Sequence, residues 1–385
     1  MDAIELLQAL VRIPSPNPPG DTQTLAMYIA QLLEQAGCRV QRLAPPSKPE
    51  ALSVVASVGQ GDPVIMLHAH IDTVPIAVTE SHRWQFDPYA AEVHEGKLYG
   101  KGSIDDKAPL AAMMLTVLEA ASDESRVRGT LVLVAAAEEE VGGQLGTRWL
   151  ADHAHLPKCD FIVVGEQTHN RVANAHKGVM RATIQTLGKA VHATNPDRGV
   201  NAITAMARIV LALESYHHDL AQRQHPTVGV PTCNVGVIEG GSTANAVPDR
   251  CVVRLDRRVI PREDPAHVQA EIQAVVAAVD VGVASAAVTE FLYSSWFDSS
   301  VTSSLASKFF ACVQEVLRDT PGPVGYLPGS DAKHLMTSLR EGGEIIIFGP
   351  GSYEVAHAFD EHVVISEYLA TITILKQFLQ KTLLG

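Results

Sequence analysis

Four uninterrupted apolar runs constrain the fold of this chain more than any other feature of its sequence. They occupy residues 64–67, 131–134, 161–164 and 345–348 and consist of Val, Ile, Leu, Met and Phe. Short runs of this kind are typical of strands that are buried on both faces of a mainly parallel sheet. Residues 107–121, between the first two runs, carry apolar side chains at helical spacing. The pattern predicts an α/β fold whose mainly parallel sheet is flanked by helices.

The middle of the chain has a different pattern. Its predicted elements follow the order β-α-β-β-α-β, with helices at 200–215 and 265–279, which is typical of a ferredoxin-like α+β sandwich. Because the fourth apolar run follows this block, we expect a small domain inserted into a larger one. The predicted domains are a catalytic domain of residues 1–176 and 289–385, and an inserted domain of residues 177–288.

Composition limits the classes of function. Of 385 residues, 46% are hydrophobic and 19% are charged, which is enough apolar surface for two cores and too little charge for disorder. The formal net charge of −13, without a basic stripe, argues against a nucleic-acid partner. Five widely spaced cysteines without a C-x-x-C pair predict a reducing compartment. No apolar run approaches the roughly 18 residues of a membrane helix, and the N-terminus lacks a basic signal sequence, so we expect a cytoplasmic protein.

Imidazoles and carboxylates follow each of the four apolar runs. The first run leads into His68-Ala69-His70-Ile71-Asp72, the second into Glu138-Glu139-Glu140, the third into Glu166, and the fourth into a glycine-rich loop and then His357. A further acidic pair, Asp105-Asp106, precedes the predicted helix at 107–121. Because ligands bind beyond the carboxyl ends of strands in open α/β sheets, we expect these side chains to meet at one edge.

The predicted cluster is rich in carboxylates, which repel one another unless cations lie among them. Two histidines with several carboxylates and no thiolate suit zinc, cobalt or manganese better than calcium. Two such ions, roughly 3.5–4 Å apart, would activate water and polarise a carbonyl. Taken singly, each group has an ordinary alternative role; Asp105 and Asp106, for example, could cap the following helix. Their coincidence at four strand ends favours a two-metal site.

The same residues, in the same order, resemble a known family. The motifs H-I-D-T-V-P at 70–75, G-K-G-S-I-D-D-K at 100–107, E-E-V-G at 139–142, G-E at 165–166 and A-H at 356–357 are similar to those of the co-catalytic zinc amidohydrolases and peptidases. That family includes acetylornithine deacetylase, succinyl-diaminopimelate desuccinylase, carboxypeptidase G and aminoacylase. The resemblance covers almost the whole chain. It implies that the inserted domain is a lid or dimerisation domain and that the protein is a homodimer.

The resemblance also implies a set of metal ligands. Asp105 would bridge two divalent ions, most simply zinc, with cobalt or manganese as alternatives. His70 and Glu166 would bind one ion, and Glu140 and His357 the other.

Two further carboxylates acquire roles from the same resemblance. The side chain of Asp72 would hydrogen-bond the far nitrogen of His70 and fix its tautomer. Glu139 would be the general base that takes a proton from water and later gives it to the leaving amine. The family also implies a cis peptide bond between Asp105 and Asp106.

Four residues outside the metal cluster match positions that contact substrate in the family. His192 would reach the active site of the partner subunit and donate to the developing oxyanion. Asn245 would contact substrate, and Arg258 would pair with its α-carboxylate, whereas Arg257 points to the opposite strand face. The backbone at Gly329 would meet the same carboxylate. His192 could instead be a surface histidine and Asn245 a turn residue.

Three departures from the family pattern weaken assignment to a subfamily. Ala69 stands where the family usually has Gly, and Gln167 stands where it usually has Pro. Residues 106–109 read D-K-A-P rather than D-M-K-G. None of these departures removes a proposed ligand or the base.

The predicted function is hydrolysis of the amide bond of a small N-acyl amino acid, most like that of acetylornithine deacetylase. Alternatives on the same core are succinyl-diaminopimelate desuccinylase and a metallo-dipeptidase or carboxypeptidase. A TIM-barrel metal hydrolase would need eight β/α units, which the inserted block contradicts. A serine hydrolase is disfavoured because no G-x-S-x-G motif occurs. A catalytically inactive binding protein is disfavoured by the presence of Glu139 and Asp105.

Overall fold

The structure is a computed structural model that describes residues 2–76, 78–319 and 322–384. The chain divides into two compact units, which we call the first unit (Met1–Asn174 with Ser299–Gly385) and the second unit (Ala175–Asp298). The second unit extends beyond residue 288, where the predicted inserted domain ends, because its last long strand continues to Ser294. None of the helices in the described ranges combines the length and the apolar character of a membrane span.

Both units contain strands and helices. In chain order, the strands are β1 (Arg39–Leu43), β2 (Ser53–Gln60), β3 (Val64–His70), β4 (Val93–His94), β5 (Lys97–Tyr99), β6 (Gly129–Ala136), β7 (Cys159–Val164), β8 (Ala173–His176), β9 (Gly178–Leu187), β10 (Thr232–Gly240), β11 (Arg250–Val259), β12 (Ser285–Ser294), β13 (Phe297–Asp298), β14 (Val324–Tyr326), β15 (Leu339–Ile347) and β16 (His362–Val364). The helices are α1 (Ala3–Val11), α2 (Gln23–Gln35), α3 (Lys107–Ser122), α4 (Thr147–Asp152), α5 (Ala202–Asp219), α6 (Pro265–Ala278), α7 (Ser304–Leu317), α8 (Ala332–Leu335) and α9 (Ile365–Thr382).

The sheet of the first unit has the strand order β1-β2-β6-β3-β7-β15. Its centre is parallel, since β3 pairs in parallel with β6 and β7, and β15 pairs in parallel with β7. At one edge β1 and β2 are antiparallel, and at the other β8 meets β15 through Ala173. All seven residues of β3 are buried, as its uninterrupted apolar run predicts. The predicted α/β class, with a mainly parallel sheet, is therefore confirmed.

Helix α3 packs in the centre of the first unit, against α1, α9 and β3. It is buried on nearly every face, which a helix tolerates only when it is apolar all round. It begins directly after Asp106, so the fold places the acidic pair at the entry of a buried helix. The Asp106 side chain makes no capping hydrogen bond among the described residues, which removes the ordinary capping explanation for this carboxylate. The peptide bond between Asp105 and Asp106 is cis, as the family resemblance implied.

The second unit is an antiparallel sheet with the strand order β10-β11-β9-β12 and two helices, α5 and α6. In chain order its elements read β9-α5-β10-β11-α6-β12, so the predicted ferredoxin-like topology is confirmed. One sheet face packs against the helices around Ile184, Ile209, Val253 and Ile272, all fully buried. Arg181 of β9 and Arg254 and Asp256 of β11 lie on the opposite face, whereas Arg257 of β11 is buried on the helix side.

Candidate active site

His70 is the last residue of β3, so its ring emerges at the carboxyl end of the sheet. Its Nδ1–H donates to the carbonyl oxygen of Asp72 at 3.0 Å, while the Asp72 carboxylate lies farther away, at 3.7 Å. The carbonyl of Asp72 is thus the nearer of its two groups to Nδ1, and the role of its carboxylate in fixing the tautomer, which the resemblance implied, stays a prediction. The Nε2 atom of His70 is left facing Asp105, with 3.0 Å between Nε2 and Oδ1.

The Asp72 carboxylate also binds the turn that follows β6. It accepts hydrogen bonds from the backbone N–H groups of Glu139 and Glu140, both at 3.1 Å, and from Asn17 Nδ2 at 2.8 Å. Because the acceptor is fully buried, these bonds fix the short turn that carries the two glutamates. Sequence reasoning missed Asn17, whose only signal was its place in the Pro-rich stretch P-S-P-N-P-P-G at residues 14–20.

Asp105 lies between two imidazoles. Its Oδ1 is 3.0 Å from His70 Nε2, and its Oδ2 is 3.0 Å from His357 Nε2. His357 Nε2 is also 3.2 Å from Glu140 Oε2, and the second oxygen of Glu140 accepts from the backbone N–H of Val74 at 3.0 Å. Ligand atoms of His70, Asp105 and Glu140 lie within 4.8 Å of one another. Segments that are far apart in the chain therefore deliver nitrogen and oxygen donors to one place.

The charges in this cluster compensate one another. Burial raises the pKa of Asp105, but hydrogen bonds from His357 and His70 outweigh it and hold that pKa well below its usual range. Hydrogen bonds to Asp105 and Glu140 raise the pKa of His357 to about 10. Burial and the neighbouring charge of Asp105 raise the pKa of Glu140. Carboxylates this close together stay ionised only when positive charge lies beside them, and a bound cation would supply that charge.

Glu139 is largely buried beside the cluster, and its pKa is raised to about 8, first of all by burial. The ammonium of Lys333 lies 3.9 Å from Glu139 Oε1 and opposes that shift. A carboxylate with a pKa near neutrality can both accept and return a proton, as general acid–base catalysis requires. The turn that Asp72 anchors holds the backbone of Glu139 in place.

Glu166 follows β7 and is 4% exposed. Its Oε2 accepts a hydrogen bond from the Tyr326 hydroxyl at 2.8 Å, and burial followed by the charges of Asp106 and Glu139 raises its pKa well above the usual range. Glu166 is joined to the rest of the cluster through Gln167, whose Nε2 lies 3.4 Å from Glu166 Oε2 and 2.9 Å from Asp105 Oδ1. Tyr326 was not recognised from sequence, where nothing distinguishes it from other tyrosines.

Gly329 lies in an exposed loop of the first unit. A side-chain carbon added there would meet no atom of the described residues within 4 Å, so packing alone does not demand glycine. The residues after it are buried: Lys333 Nζ donates to the Ser330 carbonyl at 2.9 Å, and Thr147 Oγ1 donates to Asp331 Oδ2 at 2.6 Å. The loop is therefore anchored immediately beyond its exposed glycine.

His192 and Asn245 belong to the second unit, and the two segments that contain them contact each other. Ala193 N donates to the Asn245 carbonyl at 2.9 Å. The exposed His192 accepts the backbone N–H of Thr194 on Nδ1 at 3.2 Å, so the proton of the neutral ring is on Nε2. Asn245 Oδ1 accepts from Thr243 Oγ1 at 2.7 Å, which turns the amide nitrogen away from that bond.

The two consecutive arginines of β11 differ in their surroundings. Arg257 is fully buried and pairs with Glu263 at 2.7 Å and with the Tyr216 hydroxyl at 3.1 Å. The side chain of Arg258 is 40% exposed, and its Nε lies 2.8 Å from Asp256 Oδ1. Since successive strand residues point to opposite faces, only Arg258 presents its guanidinium to solvent, as predicted.

Comparison with known proteins places the chain in a family. Residues 66–381 match the sequence model of peptidase family M20/M25/M40. The chain belongs to this family. It is 27% identical over 353 residues to a probable succinyl-diaminopimelate desuccinylase of Staphylococcus aureus strain MSSA476, covering 84% of each protein. It is 31% identical over 266 residues to the acetylornithine deacetylase of Shigella sonnei strain Ss046, covering 67% of this chain and 68% of the relative.

Solved structures of other proteins have the same fold as this M20/M25/M40 family member. It superimposes on the M20 family metallo-carboxypeptidase Sso-CP2 of Sulfolobus solfataricus with a TM-score of 0.78, covering 99% of each chain at 18% identity. At that identity the likeness concerns the fold alone. Membership of the family, together with the similarity to the desuccinylase and the deacetylase, makes this chain a hydrolytic enzyme of the amidohydrolase and peptidase type.

Proposed function

We propose that this M20/M25/M40 enzyme hydrolyses the amide bond of an N-acyl amino acid with the help of two divalent metal ions. The observation that carries the proposal is the position of Asp105, which has an imidazole nitrogen 3.0 Å from each of its carboxylate oxygens. A carboxylate that offers one oxygen to each side is the arrangement by which a single residue bridges two ions.

The imidazoles and carboxylates of the cluster are ligands of the kind that bind divalent metal ions. His70, Asp105 and Glu166 would hold one ion, and Asp105, Glu140 and His357 would hold the other. Imidazoles and carboxylates without a thiolate favour zinc, with cobalt and manganese as alternatives. When bound, the two ions lower the pKa of water and polarise the scissile carbonyl.

Glu139 would move the proton in this reaction. Its carboxylate takes a proton from the attacking water and passes it to the leaving amine, so the amide is replaced by a carboxylate and a free amine. Burial keeps its pKa near 8, which favours both transfers near neutral pH. The hydrogen bond from the backbone N–H of Glu139 to the Asp72 carboxylate fixes the position of Glu139 relative to Glu140.

Residues of the second unit would bind the substrate. Arg258 has one N–H directed at Asp256, which leaves further guanidinium donors to pair with an α-carboxylate. The Nε2–H of His192 is suited to donate to the developing oxyanion from the partner subunit. Asn245 would contact the same substrate through its amide, and the Gly329 loop would offer backbone groups to the carboxylate.

A homodimer through the second unit is part of the proposal. Strand β10 is an edge strand of the four-stranded sheet, and its Val237 and Ile238 are exposed. Helix α5, which packs beside β10, exposes Ile203 and Leu211. An unpaired strand edge with neighbouring exposed apolar side chains favours association with a second copy.

The substrate is best tested by amine release from a panel. N-acetylornithine, other N-acetyl amino acids, N-succinyl-diaminopimelate and plain dipeptides would each be incubated with zinc- or cobalt-loaded protein, with and without a chelator. We expect chelator-sensitive release from N-acetyl amino acids, N-acetylornithine first. Preference for the succinyl substrate or for dipeptides would change the proposed substrate specificity but would leave the proposed metal-dependent amide hydrolysis in place. Silence of the folded, metal-loaded protein across the panel would contradict the proposed amidohydrolase activity.

A further inference from the structure

A buried hydrogen-bond chain connects the two carboxylates Glu166 and Asp105. Gln167 Nε2 lies 2.9 Å from Asp105 Oδ1, and Gln167 Oε1 lies 2.9 Å from the Tyr326 hydroxyl. That hydroxyl is in turn 2.8 Å from Glu166 Oε2. Both connecting side chains are almost fully buried, at 2% exposure for Gln167 and 3% for Tyr326. The chain therefore runs inside the protein, where hydrogen bonds are strong and unpaired polar groups are costly.

The neighbours determine how the amide of Gln167 is oriented. Its nitrogen faces acceptors only, namely Asp105 Oδ1, the carbonyl of Ile104 at 3.4 Å and Glu166 Oε2 at 3.4 Å. Its oxygen faces the Tyr326 hydroxyl, whose one proton it shares with Glu166 Oε2. A reversed amide would place oxygen against three acceptors, so only one orientation is compatible with the site.

The residue at position 167 is one of the departures from the pattern that this chain otherwise resembles. Proline, which usually follows the glutamate there, has neither a side-chain donor nor a side-chain acceptor. Gln167 supplies one of each, and Tyr326 meets both Gln167 and Glu166 from β14. The contact to Asp105 therefore depends on a side chain that proline at this position would not supply.

We propose that Tyr326 and Gln167 act together as positioning residues for one metal site, by holding Glu166 and Asp105 in the orientation that binds the ion shared with His70. The inference rests on the proposed two-metal function. Neither residue needs to touch substrate. Hydrogen-bonded partners of metal ligands typically contribute about 10- to 100-fold to metal affinity, because they remove the freedom that binding would otherwise restrict.

The test is a double-mutant cycle with metal affinity as the readout. Tyr326→Phe removes only the hydroxyl, and Gln167→Met removes the amide with little change of volume. Tyr353→Phe is the matched control: its ring meets that of Tyr326 edge-on at 6.3 Å, yet it is 36% exposed and has no place in the chain of hydrogen bonds. Zn²⁺ would be titrated into each apo-protein against a chelating competitor, and Co²⁺ spectra would report the geometry of each site.

We expect each single variant to weaken the binding of one of the two Zn²⁺ ions about 10- to 100-fold and to change one component of the Co²⁺ spectrum. The double variant should be little worse than either single variant, because both act through one chain of hydrogen bonds. Tyr353→Phe should bind like the parent protein. Affinities within about twofold of the parent in both single variants, or losses that multiply in the double variant, would overturn the inference while leaving the two-metal function intact. A parent protein that binds fewer than two Zn²⁺ ions would overturn both.

Discussion

The candidate residues of the two units are held in different ways. In the first unit, His70, Asp105 and Glu140 each contact residues distant in sequence, as in the bond between His70 and Asp105, and His70 adds a local bond to the Asp72 carbonyl. In the second unit, His192 contacts Thr194, Asn245 contacts Thr243 and Arg258 contacts Asp256, each only two residues away. The first set is preorganised by the tertiary fold, whereas the second is held locally and stays accessible to a ligand.

This difference predicts two kinds of mutational effect. Changes in the buried cluster should remove metal ions or chemistry outright, because other residues cannot move in to replace a lost partner. Changes in the exposed set should alter substrate affinity or transition-state stabilisation and leave the metal content alone.

Replacement of the bridging carboxylate should have the largest effect. Asp105→Asn keeps the shape but removes the negative charge between His70 and His357, so we expect loss of bound zinc and a fall of activity to that of metal-free protein. Metal analysis of the purified variant and amine release measure the two losses. Asp152→Asn makes the same change at a 54% exposed carboxylate and should leave both unaltered. Full zinc content in Asp105→Asn would contradict the bridging role.

Loss of the base should separate chemistry from metal binding. We expect Glu139→Gln to lower kcat by about 10²–10⁴-fold while zinc content stays at the parent level, because the proposed role of this residue is to transfer protons and not to bind the ions. The neighbour Glu138 is the matched control, since its carboxylate already accepts from Lys48 Nζ at 2.6 Å and from Asn17 Nδ2 at 3.0 Å. If Glu138→Gln abolished turnover with metal retained and Glu139→Gln did not, the base would be Glu138, one residue before the proposed one.

The same contrast explains what could be predicted from sequence. The strands β3, β6, β7 and β15 were recognisable because burial on both faces leaves an uninterrupted apolar run, and the residues after them followed from the geometry of parallel sheets. The contacts of Asn17, Tyr326 and Gln167 were not predictable, since they depend on loops whose approach has no periodic signal. That the carbonyl of Asp72 comes nearer to His70 than its carboxylate does was not predictable for a similar reason: side-chain direction after a strand depends on the whole turn.

A smaller loss is expected at His192. Removal of one oxyanion donor typically lowers kcat by about 10²–10³-fold, so His192→Ala should retain zinc and lose turnover to that extent. His267→Ala, at a 71% exposed histidine on α6, is the control that should remain active. Mixing the inactive His192→Ala and Glu139→Gln proteins should restore activity, because in the proposed dimer a mixed pair would have one site with an intact Glu139 and an intact histidine from the partner. No recovery after verified subunit exchange would argue against a contribution from the partner subunit.

The smallest catalytic effect is expected at Arg258, and its neighbour Arg257 on the same strand provides a buried counterpart. Arg258→Ala should raise KM roughly 10- to 150-fold with little change in kcat or stability, since a hydrogen bond to a charged group is worth about 1.5–3 kcal/mol.

Arg257→Met, one residue earlier, should instead lower the free energy of unfolding by about 3 kcal/mol, because it breaks a buried ion pair. The expected cost is at the low end for such pairs, since Arg223 remains 2.8 Å from Glu263. Steady-state kinetics and denaturant unfolding of both variants measure the contrast. An unchanged KM in Arg258→Ala would mean that the α-carboxylate is bound elsewhere, and the exposed face of β11 would then have no role in substrate recognition.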